Sequence, residues 1–400
     1  MPPRPDTSVP TLGVEEEYLL VAPETGAPVP AAERVRERAA ARTVLGDREV
    51  QHELLQAQVE VATPVCSSLD EVDGHLRRLR GALAAAAEEC GCRLAACASA
   101  AMPLDHPSTA AGPAAAEALE AAVTEEDAAI PVTAEPRYER MRLQARRLVD
   151  EQLINGMHVH VAVPDRAAGV RIVNRMRPWL PLLLALSANS PLWLGHETGF
   201  ASWRHVVFGR WPVSGMPPLF ADADDYDRRV RRLVDAGLID DTGQVYWAVR
   251  VSERFPTVEV RVADVQLRVD DAVLLAGLVR ALVMTLRREP SPERAVPEPE
   301  PEWLNAALWQ AARHGLGGRL ADPLSGTLRP ASEVVADALA HLTPALDAAG
   351  DTARVADALH HTLTHGNGAT RQRAALAASG PEALRALLLA HHPSRPSPSR

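Results

Sequence analysis

The sequence predicts an α+β fold in which a curved, mainly antiparallel sheet carries helices on its outside. Four segments alternate apolar and polar residues with the period of two that half-buried strands show; they are 13–21, 58–63, 156–163 and 255–265. Longer segments between and after them place apolar residues at helical spacing, as at 69–89 and 270–287. The strand segments also carry ionisable residues at matching positions, which is expected of neighbours in one sheet.

The first strand segment holds three consecutive glutamates, Glu15, Glu16 and Glu17. On a strand, Glu15 and Glu17 face one side and Glu16 faces the other. Two carboxylates about 7 Å apart on one face repel each other, and buried acids are usually paired or bound to a metal. Such a pair suits a hard cation such as Mg²⁺. A solvent-facing edge strand is an equal alternative on this segment alone.

Two further strands add groups of the same kind. Glu60 alternates with apolar residues in its strand, and a solvent-facing position is the alternative reading. His158 and His160 share a face, and the opposite face of their strand is lined by valines. A single histidine in a strand is usually structural, but two rings on one face can share a ligand or metal.

The fourth strand places Glu259 and Arg261 on one face, and Ala263 follows on that face. A surface salt bridge that contributes about 0–1 kcal/mol is the alternative for this pair. Asp264 falls on the opposite face if the strand stays regular. If all four strands are neighbours, one face gathers four carboxylates, two imidazoles and an arginine, which fits a multi-metal ATP site.

The connecting segments are predicted as helices. Ser68, with an acid three residues later, resembles a capping box and begins the helix 69–89. Pro178 and Pro181 interrupt a helix over 165–186. The other predicted elements are a strand at 94–101 and helices at 137–153, 222–236, 270–287, 303–315, 331–349 and 352–364.

The composition limits the class of partner. The chain has 42 Lys and Arg against 52 Asp and Glu, a net charge of −10, which disfavours nucleic acid. The four cysteines form no Cys-x-x-Cys pair and are predicted to be reduced thiols. No signal peptide is evident near the N-terminus, and the longest apolar run, at 180–186, is too short for a bilayer. We therefore expect a cytoplasmic protein without a membrane partner.

A single domain is expected over most of the chain. Its predicted parts are a catalytic sheet with helices at 11–287, a linker rich in Pro and Glu at 288–302, C-terminal helices at 303–390, and flexible tails at 1–10 and 391–400.

Six motifs in order carry a family resemblance. They are Gly13 to Tyr18, Gln58 to Pro64, Gly156 to Val161, Ser187 to Pro191, Thr257 to Asp264 and Gly366 to Arg373. Together they resemble the YbdK-type carboxylate–amine ligases, also called the glutamate–cysteine ligase type 2 family, of the glutamine synthetase and glutamate–cysteine ligase superfamily. The resemblance spans about residues 11–390 and implies a glutamine synthetase-like catalytic fold with a funnel-shaped active site.

The resemblance also implies roles for individual residues. The implied ligands of two or three Mg²⁺ ions, for which Mn²⁺ could substitute, are Glu15, Glu17, Glu60, His158 and Glu259. The implied contacts with ATP are His160, Arg261, Arg371 and Arg373. Arg204 would bind the substrate carboxylate or the transferred phosphate, and Arg204 and Arg261 would be the catalytic arginines.

The reaction that the resemblance implies is ATP-dependent amide formation through an acyl phosphate. Glutamate is the implied carboxylate donor and an amine the implied acceptor, so weak glutamate–cysteine ligase activity is expected. The resemblance is also compatible with a homo-oligomer. Ala162, the residues near Glu197 and the run Phe200 to Arg204 depart from the family pattern beside the substrate contacts and leave the acceptor open. The alternatives are a metal-dependent hydrolase, a guanidino phosphotransferase of the same superfamily and a non-catalytic nucleotide-binding protein.

Overall fold

A computed structural model describes residues 9–42, 45–46, 49–104, 130–288 and 299–389 of the chain. The strands are β1 (Leu12–Val21), β2 (Val50–His52), β3 (Gln58–Ala62), β4 (Arg93–Ala95), β5 (Gly156–Ala162), β6 (Leu192–Trp193), β7 (His196–Glu197), β8 (Ser214–Gly215), β9 (Tyr246–Trp247), β10 (Val249–Val251), β11 (Thr257–Asp264), β12 (Arg319–Ala321) and β13 (Leu328–Pro330). The helices are α1 (Ala32–Ala40), α2 (Leu69–Glu89), α3 (Pro136–Ala145), α4 (Arg147–Asp150), α5 (Arg166–Met176), α6 (Leu180–Ser187), α7 (Trp203–Phe208), α8 (Ala223–Asp235), α9 (Val269–Arg288), α10 (Pro301–His314), α11 (Ala331–Ala349), α12 (Thr352–His365) and α13 (Gly368–Leu388).

The largest sheet has the strand order β10-β11-β5-β1-β3-β2, and β4 pairs with the end of β1. All pairs of neighbouring strands in this main sheet run antiparallel. The helices α2, α6 and α9 pack against its strands, and α11 and α12 pack outside α9. The predicted α+β fold, an antiparallel sheet with outer helices, is therefore confirmed.

The pairing register brings the ionisable strand residues together. The directly opposed pairs are Glu17 with Glu60, Glu15 with His158, and His160 with Glu259. Directly opposed residues of an antiparallel pair have neighbouring side chains on the same face. These six side chains therefore line one face of the main sheet, and the valines between them line the other.

Glu16 lies on the apolar face of β1, where α2 packs. Its carboxylate is fully buried and accepts hydrogen bonds from Arg80 at 2.5 and 3.0 Å and from the Tyr18 hydroxyl at 2.5 Å. Arg80 also donates to the backbone carbonyls of Gln266 and Leu267. The charged pair therefore joins β1 to α2 and to the chain that enters α9.

Replacing Glu16 by Gln is expected to lower the free energy of unfolding by about 3 kcal/mol, because the Arg80 guanidinium would lose its counter-charge in the interior. Urea unfolding at pH 7 measures the loss. Glu37, exposed on α1, provides a matched Glu37→Gln control that should change stability by less than about 0.5 kcal/mol. A loss below about 1 kcal/mol for Glu16→Gln would mean that the hydrogen bonds of Arg80 to backbone carbonyls are enough to stabilise its buried charge.

Two predicted elements differ in extent from the structure. The predicted helix 137–153 is divided into α3 and α4 at Arg146, whose φ of 49° is outside the helical range. The predicted strand 94–101 ends at Ala95, because the chain beyond it makes backbone hydrogen bonds with other segments, such as Ala100 with Leu153. The predicted break in the helix 165–186 is confirmed, with a 3-10 turn at Arg177–Trp179.

Other predictions concern residues outside the described parts of the chain. Most of the predicted linker 288–302 and of the two tails lies there.

Among the C-terminal helices, α10 packs against α6, and α13 begins with hydrogen bonds to the backbone at the end of α6. In the described residues, no helix combines the length and the apolar character that crossing a membrane requires.

Candidate active site

Glu15 lies at the centre of a cluster of acids and imidazoles on the polar face of the main sheet. Its Oε2 is 2.9 Å from Nδ1 of His158, and its Oε1 is 3.3 Å from Nε2 of His160. Glu17 approaches Nε2 of His158 to 3.7 Å and accepts a hydrogen bond of 2.6 Å from the backbone N–H of Gly156. The period-two alternation of β1 and β5 thus presents Glu15 to both rings and Glu17 to His158.

Two sets of three side chains have donor atoms close enough to hold a metal ion. The sets are Glu15, His160 and Glu259, and Glu15, Glu60 and His158, and within each set the donor atoms lie within 4.8 Å of one another. Nε2 of both histidines is buried and has no hydrogen-bond partner in the described residues. Carboxylate oxygens with one imidazole nitrogen suit Mg²⁺ or Mn²⁺. The residues present therefore fit divalent cations.

The electrostatics of the cluster show an excess of negative charge. Burial raises the pKa of Glu60 well above its usual value, and the carboxylates of Glu15, Glu53 and Glu17 raise it further. Burial, with the charge of Glu17, raises the pKa of Glu53 to about 8. Burial alone would also raise the pKa of Glu15, but the hydrogen bond to His158 and the close contact with the His160 ring hold it well below its usual range. A cation bound here would relieve the repulsion between these acids.

Glu53 belongs to this cluster but is not among the predicted site residues. It follows β2, where Gln51 lies opposite Glu60. Two residues further on, Glu53 falls on the same face as Gln51, and its backbone carbonyl is fixed by a 2.6 Å hydrogen bond from the Thr133 hydroxyl. Pairing of the two halves of 50–63 as a hairpin is the sequence signal that could have identified it.

Two arginines hold the carboxylate of Glu259. Arg261 donates to Glu259, and its Nη1 lies 3.4 Å from Nδ1 of His158. Arg250 of β10 donates from Nε and Nη2 to the two oxygens of Glu259 at 2.8 and 3.0 Å. Burial opposes ionisation of Glu259, but the two arginines lower its pKa far below the usual value. Arg250 is not a predicted site residue, although it lies directly opposite Glu259 in the sheet.

Arg204, in the first turn of α7, is buried against β5 and β11. Its Nη2 is 3.3 Å from the carbonyl of Arg261, and its guanidinium lies 5.3 Å from the ring centre of Phe208. Gly156 leaves the space for it, because an added Cβ there would overlap Nη2 and lie 2.8 Å from Cζ of Arg204. Burial lowers the pKa of Arg204.

A pocket opens beside this arginine. Its empty space is about 270 Å³ when the adjoining open solvent is counted, and Arg204 and Arg261 both line it. The aromatic side chains of Phe208 and Tyr246 also line it, together with His205. The pocket therefore combines two positive charges with aromatic walls, a setting that suits a small anionic group.

Asp264 lies on the polar face, so the prediction from a regular strand was wrong. A bulge in β11 between Val260 and Ala263 shifts the register, so that Asp264 pairs with Gly156 and Ala263 turns to the apolar face. The Asp264 carboxylate is fully buried. It accepts hydrogen bonds of 2.7 to 2.8 Å from the Ser190 hydroxyl, the Asn189 backbone N–H and the Ser202 hydroxyl.

The hydrogen bonds of Asp264 to Asn189 and Ser190 give a structural role to two sequence motifs, the segments 187–191 and 366–373. Ser190 also accepts a hydrogen bond from the backbone N–H of Arg204, so Asp264 fixes the start of α7 through it. Gln372 donates to the carbonyl and side-chain oxygens of Asn189 at 2.8 and 2.7 Å, which attaches α13 to the same segment.

Arg371 and Arg373 make ion pairs away from the acid cluster. Arg371 donates to Asp271 at 2.6 Å, and Arg373 donates to Glu197 at 2.7 Å and to the Phe200 carbonyl at 2.8 Å. Among the described contacts, neither guanidinium reaches the glutamates or histidines of the sheet. Their contact with ATP stays a prediction.

His205, next to Arg204, gives a pH prediction for stability. Burial and the neighbouring arginine lower the pKa of His205 to about 4, whereas an unfolded histidine titrates near 6.5. The unfolded chain therefore takes up this proton first, and stability should fall by about 2–3 kcal/mol as pH drops from 6.5 to 4. Urea unfolding across this range should show a shallower fall for His205→Gln, and parallel curves for the two proteins would contradict the assignment.

The sequence as a whole matches glutamate–cysteine ligase family 2 over residues 11–389. A protein of Mycobacterium sp. (strain KMS), provisionally named glutamate–cysteine ligase 2-2, is 44% identical over 367 residues, which cover 92% of this chain and 93% of that one. A provisionally named glutamate–cysteine ligase 2-1 of Nocardia farcinica is 42% identical over 363 residues, covering 91% of this chain and 88% of that one.

Solved structures share the fold at low sequence identity. The glutamate–cysteine ligase of Francisella tularensis, crystallised with AMP, superimposes with a TM-score of 0.65 at 12% identity, covering 95% of this chain and 88% of that one. A bifunctional glutathione synthetase of Pasteurella multocida gives 0.63 at 14% identity, covering 95% of this chain and 51% of that one. From the match over most of its length and from its close relatives, the chain belongs to glutamate–cysteine ligase family 2, a family of ligases.

Proposed function

We propose that this protein is an ATP-dependent carboxylate–amine ligase that forms an amide bond. The observation that carries the proposal is the convergence of acids, imidazoles and arginines from separate strands on one face of the sheet. The family membership and the AMP in the Francisella tularensis relative support ATP as the energy source. The negative charge of a triphosphate is usually balanced by cations and arginines. This face of the sheet offers acids and imidazoles as ligands for the cations, and it also carries arginines.

Five residues would hold Mg²⁺ or Mn²⁺ in this proposal, and Glu53 is a sixth candidate. The five are Glu15, Glu17, Glu60, His158 and Glu259. Bound there, the cations would neutralise the charge of the phosphates and of the transition state. The opposed pairing of these residues in the main sheet holds their side chains in place before any ligand arrives, which lowers the entropic cost of binding.

The reaction we propose has two steps. An oxygen of the donor carboxylate attacks the γ-phosphorus of ATP, the bond from that phosphorus to the bridging oxygen breaks, and ADP leaves. The nitrogen of the acceptor amine then attacks the carbonyl carbon of the acyl phosphate, phosphate leaves, and the amine loses a proton. Arg261 and His160 would bind the phosphate oxygens, and Arg204 would bind the carboxylate of a substrate in the adjoining pocket.

Glutamate as the donor and a small amine as the acceptor are the substrates we propose, and the charge of the pocket and the family support them. The two arginines favour an anionic substrate, and the aromatic walls allow an acceptor with an apolar side chain. Weak activity with cysteine is part of the proposal, because Phe200 and Trp203 alter the segment that leads into Arg204. A homo-oligomer is compatible with it.

Transfer of ¹⁸O tests the proposal directly. Purified protein is incubated with Mg·ATP, glutamate labelled with ¹⁸O in its carboxylates and a panel of amines, and products are read by mass spectrometry. An acyl phosphate predicts one ¹⁸O in the released phosphate for each amide formed. Turnover without ATP would indicate a hydrolase, a stable phosphoramidate a guanidino phosphotransferase, and binding of Mg·ATP without turnover a nucleotide-binding protein. Each of these three results would overturn the proposal.

A further inference from the structure

The two edges of the main sheet are joined across its polar face by a bridge, which we define as α3 together with the loop 240–245. On the β2 edge, the Tyr138 hydroxyl of α3 donates to the His52 carbonyl at 3.1 Å. Thr133, just before α3, bonds to the carbonyl of Glu53. One end of the bridge is therefore attached to the backbone on either side of the His52–Glu53 peptide, at the acid end of the cluster.

The two halves of the bridge meet through polar side chains. Gln144 donates to Asp240 at 2.7 Å, and Arg140 lies 3.5 Å from the same carboxylate. Arg137 lies 3.6 Å from Asp241, and both side chains are nearly half exposed. Exposed pairs of this kind contribute little stability each. These polar contacts between the halves therefore add little stability each.

The second half of the bridge is attached to Glu259 by one side chain, Arg250. Its Nη1 donates to the carbonyls of Gly243 and Val245 at 3.3 and 2.8 Å, while Nε and Nη2 donate to the two oxygens of Glu259. Arg250 and Glu259 are largely buried, with side chains 17% and 3% exposed. The Arg250 guanidinium thus bonds both to the backbone of the loop and to the two carboxylate oxygens of Glu259, a candidate metal ligand.

We propose that Arg250 is a positioning residue that couples the bridge to the orientation of the Glu259 carboxylate toward the metal site. Its role in catalysis rests on the proposed ligase function. Arg261 supplies positive charge to Glu259 but bonds to only one of its oxygens, Oε1. The planar fork of Arg250 restrains both oxygens and so restrains rotation of the carboxylate. Partners that orient metal ligands in this way commonly change metal affinity or activity by about 10- to 100-fold when they are removed.

Binding of Mn²⁺ to the full-length protein without substrates, followed by EPR, separates positioning from charge. If Arg250 acts only through its charge, Arg250→Gln removes a repulsive cation and Mn²⁺ should bind more tightly. If it positions Glu259, Arg250→Gln should weaken Mn²⁺ binding about 10-fold or more. Tighter or unchanged binding would overturn the proposal. Arg171, exposed on α5, provides the matched Arg171→Gln control.

Coupling to the bridge is tested by a double-mutant cycle with Arg137→Gln, a change at the exposed contact. Arg137→Gln alone should weaken Mn²⁺ binding about threefold, and the double variant should bind no more weakly than Arg250→Gln alone, because both changes break one path. The proposal would be overturned if the two losses of Mn²⁺ affinity multiplied in the double variant, or if Arg137→Gln left Mn²⁺ affinity unchanged. If Arg250→Gln does not fold, Arg250→Lys and Asp241→Asn form an equivalent cycle, because Lys keeps the charge but lacks the fork.

A second readout makes the failure of this inference distinct from the failure of the ligase proposal. In steady-state kinetics with Mg·ATP, Arg250→Gln should lower kcat about 10-fold or more and change KM for the carboxylate less than about threefold. An inactive wild-type protein that shows the Mn²⁺ coupling would refute the ligase and keep the inference. An active ligase that lacks the Mn²⁺ coupling would support the ligase proposal and refute the inference about Arg250.

Discussion

Replacement of Glu15 by Gln is expected to reduce amide formation by about 10³-fold or more, equivalent to about 4 kcal/mol in the transition state. Glu15 belongs to both sets of metal-binding donors and contacts both imidazoles, so no other acid of the cluster can take its place. The amide has one good acceptor oxygen and no charge, and it would weaken the attraction for two cations at once. Initial rates with Mg·ATP, glutamate and the best amine measure the loss.

Two controls separate loss of function from loss of fold for Glu15→Gln. The free energy of unfolding should fall by less than about 1 kcal/mol, because removing one carboxylate also relieves repulsion within the cluster. The exposed Glu37→Gln variant should retain the wild-type rate, since it makes the same chemical change on the surface of α1. If Glu15→Gln kept more than a tenth of the wild-type rate, the cluster would not be the catalytic centre.

The strand alternation carried most of what could be predicted of the candidate site. Because the side-chain period of a strand is fixed, Glu15 and Glu17, or His158 and His160, can be assigned to a common face from sequence alone. Their assembly into one cluster depends on which strands are neighbours. That order depends on contacts between segments distant in the chain, including the packing of α2, α6 and α9 on the strands, which no local pattern reports.

The residues that prediction missed all depend on pairing between segments. Arg250 reaches Glu259 only because β10 and β11 pair in one particular register, and Glu53 joins the acids through the pairing of β2 with β3, which sets Gln51 opposite Glu60. Asp264 was assigned to the wrong face because one bulge in β11 reverses the alternation after Val260. A bulge adds a residue without any fixed composition, so the sequence gives no sign of it.

Substitution of Gly156 by Ala is expected to lower kcat/KM for the carboxylate about 10- to 100-fold while preserving the metal site. The added methyl group would overlap the end of the Arg204 side chain, a flexible group that can move more readily than backbone. The guanidinium would shift away from the carbonyls of Arg261 and Val262 and change the pocket that it lines. Most of the loss should therefore appear in KM for the anionic substrate.

The control for this change is Gly74→Ala, at an exposed position of α2 where an added Cβ meets nothing within 4 Å. It should leave the kinetics unchanged and stabilise the protein by about 0.5–1 kcal/mol, because alanine is the better helix former. Binding of Mn²⁺ to Gly156→Ala should stay within about threefold of wild type, since the backbone N–H that bonds to Glu17 is retained. A large loss of Mn²⁺ affinity with unchanged KM would instead mean that Gly156 acts through Glu17, and that Arg204 does not bind the substrate.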